Sequence, residues 1–318
     1  MHPGVHRTDQ TTCYSTEGEV IPCLDTGQDG AVRAGILWPV PRFSPADDTV
    51  VDNLTGLMWT RNANLPEFPF MWDEAVAYVK EMNGEARFGY TDWRLPNRKA
   101  LFSLVSHMQI NPALPAGHPF KNVFSGYYWT STTCVRLPRE AWYVHLGGGR
   151  VFKGMKHGSY MVWPVRSDFP SSGAISLAGQ GTFFRGPPPR FVPYQEAVLD
   201  KKTRLIWTRS VNPPSKALDW QSALDTIKIM NHQTAFGHDD WRLPNIRELE
   251  SLVDTTSHSP ALSCDHVFSQ VEKFYWSSTT STYDARYAWV LYTEDGSIGV
   301  GYKPNASFFV WGVRSLSD

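Results

Sequence analysis

The sequence predicts an α+β protein of two tandem domains, each with two helices followed by a twisted antiparallel sheet. Three observations carry that expectation. First, the 318-residue chain repeats itself: Trp59 and Trp207, Trp93 and Trp241, and Trp163 and Trp311 each stand 148 positions apart within matching strings. Second, the apolar spacing within each copy changes from helical to strand-like. Third, the composition is 14% aromatic with 24 Gly and 23 Pro, which suits short strands and ordered loops packed on aromatic side chains.

The matching strings are Thr55-Gly-Leu-Met-Trp-Thr-Arg61 with Thr203-Arg-Leu-Ile-Trp-Thr-Arg209, Asp92-Trp-Arg-Leu-Pro-Asn97 with Asp240-Trp-Arg-Leu-Pro-Asn245, and Val162-Trp-Pro-Val-Arg-Ser167 with Val310-Trp-Gly-Val-Arg-Ser315. Between them Trp129 and Trp142 match Trp276 and Trp289 at an offset of 147, so one residue is lost and regained in loops. This period is longer than a solenoid unit, and each copy is expected to be a complete domain with its own core. The resulting division is an arm at 1–26, a first domain at 27–168, a linker at 169–178 around Pro170-Ser-Ser-Gly173, and a second domain at 179–318.

In chain order, the arm carries Cys13 and Cys23, which bracket a polar, Gly-containing segment. A disulfide there would tie down a loop and imply an oxidising compartment; two free thiols are the alternative. Trp72, Ala75, Val76, Val79 and Met82 follow the i, i+3, i+4, i+7 spacing of an amphipathic helix, as do Trp220, Ala223, Leu224, Ile227 and Met230. A second helix is expected after each Leu-Pro-Asn turn. Asn245 and Glu248 read as N-cap and capping box, whereas the first copy keeps Asn97 but has Ala100 in place of the Glu. From Tyr127 to Ser167 and from Phe274 to Ser315 the pattern becomes short aromatic and β-branched runs with Gly turns, the signature of strands.

Composition excludes several function classes. Thirty Lys+Arg against 31 Asp+Glu leave a net charge of -1, too little positive excess for sequence-independent nucleic-acid binding. No run of 18 apolar residues is present for a membrane span, and Met1 to Gln10 lacks the apolar stretch of a signal peptide, as a chain trimmed to its mature form would. Neither Gly-x-Ser-x-Gly, His-Glu-x-x-His nor a P-loop occurs, and Cys134 and Cys264 match Ser281 and Ala116, so neither thiol is part of the repeated architecture. No enzyme, cofactor or metal is expected. His118 and His266, at matching positions before Phe120 and Phe268, read as core histidines.

The ordered motifs resemble the C-terminal domain family of the Legionella collagen-like protein. The carrying residues are Asn53 to Trp59, the helix beginning at Trp72, Trp93 to Pro96, Tyr128 to Thr132, and Val165 to Ser167; the second copy repeats nearly all of them, with Lys202-Thr-Arg204 in place of Leu-Thr-Gly. The resemblance implies a C-type-lectin-like fold of the formylglycine-generating-enzyme type, in exported proteins associated with the bacterial surface that bind or adhere without catalysis. Calcium-type sugar recognition would need Glu-Pro-Asn or Gln-Pro-Asp with Trp-Asn-Asp, and none occurs.

Trp93, Arg94, Trp241 and Arg242 are expected to be structural, with the tryptophans in the core and the guanidinium groups paired internally. Arg166 and Arg314 are expected to hold down each last strand through an ion pair. The candidate ligand-binding residues are Tyr283, Arg286, Tyr287, Tyr302, Asn305 and Phe308, from loops that differ between copies and mix aromatic with adaptable polar side chains. The expected function is calcium-independent recognition of a glycan, acidic or sulfated, or of a protein surface, by an extracellular or cell-surface module that could oligomerise. The alternative is a structural subunit of a surface or phage-like assembly.

Overall fold

The computed structural model describes residues 4–167, 189–210 and 216–316; the linker at 169–178 lies outside them. The arm runs past the expected boundary at 26: it forms a hairpin of β1 (Cys13–Tyr14) and β2 (Val20–Ile21) and then the short helix α1 (Asp29–Val32), ahead of the first copy's strands. The first copy runs β3 (Phe43–Pro45), β4 (Thr49–Asp52), β5 (Leu57–Thr60), α2 (Trp72–Gly84), α3 (Arg98–Ser103), β6 (Tyr127–Thr133), β7 (Glu140–His145), β8 (Arg150–Met155) and β9 (Val165–Ser167). The second copy repeats that order as β10 (Phe191–Tyr194), β11 (Ala197–Asp200), β12 (Leu205–Thr208), α4 (Trp220–His232), α5 (Ile246–Leu252), β13 (Phe274–Thr280), β14 (Tyr287–Tyr292), β15 (Ile298–Tyr302) and β16 (Val313–Ser315). The fold is α+β, with antiparallel sheets and few helices.

Each copy opens on strands, where the sequence pattern predicts an opening helix. The strands β4 and β5 are four residues each, too short for alternation to register against the helical run that follows. Asp52 closes their turn by accepting hydrogen bonds from the Leu54 N–H and the Thr55 hydroxyl, and Gly56 takes the left-handed conformation at φ 67°. The last strand of each copy returns to this opening meander, giving small sheets ordered β3-β4-β5-β9 and β10-β11-β12-β16.

Local chemistry sets the helix starts. Asn245 and Glu248 exchange side-chain-to-backbone hydrogen bonds in a full capping box, while Asn97 receives the Ala100 N–H and has no returning carboxylate. The Trp-Arg-Leu-Pro turns are held from the preceding helix. The Asn83 side chain bonds both the N–H and the C=O of Trp93, and Asn231 does the same for Trp241.

Each copy keeps an apolar cluster of its own beside its long helix, but a further cluster is shared between the copies. Ile298 of β15 pairs with Val151 of β8, so the large sheets join as one of six strands, β13-β14-β15-β8-β7-β6. One apolar cluster contains Trp142, Val144 and Leu101 of the first copy with Trp289, Leu291 and Leu249 of the second. The matching turn glycines Gly149 (φ 81°) and Gly296 (φ 86°) lie at this seam: a Cβ would stand 2.6 Å from Val105 in one case and 2.5 Å from Val253 in the other. Arg98 reaches across to the Gly296 carbonyl while lying 4.5 Å over the Trp142 ring, and Arg247 donates to the Ser103 and Val105 carbonyls. A repeat period reports the order of elements and is silent on which faces stay apolar, so the fusion was not legible from it.

A shared core makes the copies unfold together. Ile298→Ala, at a fully buried position, is expected to cost about 2–5 kcal/mol in a single calorimetric transition that includes both copies. A lowered transition for the second copy beside an unchanged one for the first would contradict the shared core.

Candidate functional site

Trp93 and Trp241 are buried, each donating its indole N–H to a backbone carbonyl, of Arg87 and Ala235 respectively. Arg166 and Arg314 pair with Asp92 and Asp240 at 2.6 Å. Arg242 makes a bidentate pair with Glu248 at 2.5 and 2.7 Å. Arg94 differs: with Ala100 where Glu248 would be, its recorded hydrogen bond is to the Leu95 carbonyl at 3.4 Å. His118 and His266 pack on Phe120 and Phe268, and burial lowers the pKa of both.

The six candidate ligand residues divide between the two faces of the sheet. Tyr287 and Tyr302 are direct register partners with ring centroids 5.2 Å apart. By strand alternation they share a face with Trp289 and Val300, the side of the shared core. Arg286 is exposed next to them and paired with Asp284. Tyr283, 56% exposed, stands over Gly148 of the first copy, and Asn305 is exposed. Phe308 is on the opposite face, against Trp276 at 4.6 Å and Phe274 at 5.5 Å. The loops therefore do not bring all six into one patch.

That opposite face carries an arrangement the sequence reading missed. Helix α2 packs near β6 and α4 near β13, and between them an aromatic band runs across both copies. Tyr127, Tyr143 and Tyr160 form a triangle with centroids 5.0–5.1 Å apart, and His145 lies 4.8 Å from Tyr127. The band continues through Phe152, in register with Tyr143, to Tyr292 at 6.1 Å and then Phe274 at 5.1 Å. Gly299 allows the crossing, since a Cβ there would lie 2.8 Å from Tyr292 and 3.1 Å from Phe152. Exposed Arg150 faces this surface: its charge is felt by Tyr143, His145 and Tyr292. Burial and the neighbouring phenols push Tyr143 up to about 12, so its hydroxyl remains a neutral donor and acceptor. The signal was available as alternation, Tyr143 with His145 and Val290 with Tyr292, but only the joined sheet makes these positions contiguous.

A family model for the Lcl C-terminal domain matches residues 48–166 and again 196–314. The chain belongs to the Lcl C-terminal domain family. No curated protein matches it. Among the described residues, no helix is long and apolar enough to cross a membrane.

The arm precedes the first Lcl C-terminal domain and docks on both: Asp9 accepts from the Ser106 hydroxyl and the His107 N–H of the first, while Gln10, Ser15 and Asp29 meet the second. Cys13 and Cys23 form a disulfide at the base of its hairpin. Gln10 bonds both the N–H and the C=O of Thr280 at the outer edge of β13. Lys303, buried over the Trp220 ring at 4.1 Å, donates to the Ser15 carbonyl, and burial lowers its pKa to about 7. Its counterpart Lys156 covers Trp72 at the same 4.1 Å, so the stack belongs to the architecture of both domains. Asp29 is buried at the start of α1, accepting from the hydroxyls of Thr8 and Thr279 at 2.7 Å each.

Burial raises the Asp29 carboxyl from 3.8 to about 6, against the lowering effect of those two hydroxyls. A carboxyl raised on docking holds its proton in the docked arm between pH 4 and 6 while the free arm releases it. This contribution is fully present below about pH 4 and is lost as pH rises through 6. Hydrogen exchange of residues 24–36, corrected for intrinsic rates, should show protection falling from pH 4.5 to 7, and Asp29→Asn should flatten that slope. An unchanged slope in the variant would remove Asp29 as its source.

Proposed function

We propose that the protein is an exported, surface-associated and non-enzymatic binding module of C-type-lectin-like fold, which recognises an acidic glycan without calcium through the aromatic band. Membership in the Lcl C-terminal domain family, twice over in one chain, supports the surface role, and the disulfide in the arm fits an oxidising compartment. The observation that carries the reading is the band itself. Half-exposed phenol and phenyl rings offer flat apolar faces to the C–H faces of sugar rings, tyrosine hydroxyls supply adaptable hydrogen bonds, and Arg150 offers a planar fork to a carboxylate or sulfate. The loop-end residues Tyr283, Arg286, Tyr287, Tyr302 and Asn305 form the rival contact surface.

A glycan and polyanion array, run with and without chelator, tests this reading. Binding should persist in chelator, and Tyr127→Ala and Arg150→Ala, both at exposed positions, should each cost about 2 kcal/mol of affinity with little change in thermal midpoint. Binding lost in Tyr283→Ala and Arg286→Ala but retained in the band variants would move the site to the loop end. Failure of every acidic glycan to bind would remove this ligand class.

A further inference from the structure

The two domains differ where the arm lies. In the second, residues Gly27 to Val32 cover the groove between α4 and the Trp-Arg-Leu-Pro turn: Leu224 is 2% exposed, with Gly27 against it, and Ser278 is buried. The arm completes this seating with three polar contacts. Asp29 accepts from the Thr279 hydroxyl, the Ala34 carbonyl accepts from the Asn245 amide, and Gln10 satisfies the Thr280 backbone.

The first domain has the same groove without a covering segment among the described residues. It is a 400 Å³ apolar cleft whose walls include Val76, Val79, Trp93 and Leu95, matching Leu224, Ile227, Trp241 and Leu243. Val76 is 43% exposed and Ser131 is exposed. The polar contact points are also present. Thr132 accepts from the Arg98 N–H as Thr279 accepts from the Ile246 N–H, but among the described residues its hydroxyl proton has no acceptor. The Asn97 amide N–H₂, which matches the donor to Ala34, has none there either. Arg94 lacks the bidentate carboxylate that Arg242 has in Glu248 and, among the described residues, feels only the charge of Asp92, which is itself paired with Arg166.

We propose that the first-domain groove binds an acidic peptide segment of a partner protein, seated as the arm is seated on the second domain. The occupant presents a carboxylate to the Thr132 hydroxyl and Arg94, a backbone carbonyl to Asn97, and small residues against Val76. Its chemistry is read from the related groove: extended chain leading into a short helical turn, with an Asp at the turn's first position and Gly-Ala after it. Arg94, without a bidentate carboxylate of its own, favours a second acidic residue.

The test uses the full chain, whose second-domain groove already has its own tethered arm as one wall. A synthetic peptide with the sequence of residues 25–36, blocked at both ends, is titrated into it by calorimetry. One-to-one binding is expected. Asp29→Ala in the peptide, and Thr132→Val or Arg94→Ala in the protein, should each weaken it tenfold or more. Val76→Arg, at an exposed position, should abolish it without altering the thermal midpoint. Absence of binding, or binding indifferent to Val76→Arg and Thr132→Val, would overturn the proposal. So would binding that emerges only when residues 169–178 are replaced by a Gly/Ser run, which would assign the groove to the chain's own linker.

Discussion

The antiparallel meeting of β15 and β8 is the contact on which both faces of the molecule depend. One pair of backbones, Ile298 with Val151, turns two three-stranded sheets into a single six-stranded one. On one face this places α3 and α5 over a common apolar interior; on the other it places the rings of Phe152 and Tyr292 side by side. The join requires close approach of two turns, and glycine stands at the corresponding position of each, with φ above 80° and no room for a side chain.

Closing that interior encloses charge. Arg98 and Arg247 are both buried between the copies, with Glu250 near enough to raise the pKa of each against the lowering effect of burial. The guanidinium groups satisfy backbone carbonyls of the opposite copy and lie over Trp142 and Phe102. Removing one partner would strand the other in a low dielectric, so these side chains fix the relative placement of the copies more than they add net stability. His107, enclosed by Phe102 and Trp289, is held neutral well below its ordinary range by burial and by the two nearby cations Arg247 and Arg42.

Much of the architecture within one copy could be read from the sequence, because its determinants are local. The Trp72 and Trp220 helices follow from apolar spacing, the Asn245 cap from a three-residue interval, and the α+β order from the change of period. The opening strands were obscured by their brevity. What could not be read depends on contacts between residues more than a hundred positions apart: the β15–β8 seam, the docking of the arm, and the crossing from Phe152 to Tyr292 that joins the aromatic band. The candidate loop residues illustrate the difference. Tyr287 and Tyr302 are brought together by an ordinary hairpin, but Phe308 passes to the other face because the segment after β15 turns back over Gly301.

The route of the arm also sets an order of assembly. Asp29 meets Thr279 across 250 positions of chain, so at ribosomal rates of about 5–20 residues per second the arm waits on the order of 10–50 s for the strand that receives it. Its hairpin, closed by a disulfide of sequence separation 10, can be complete long before then. The arm is thus made well before the strand that receives it and is seated only after that strand is made.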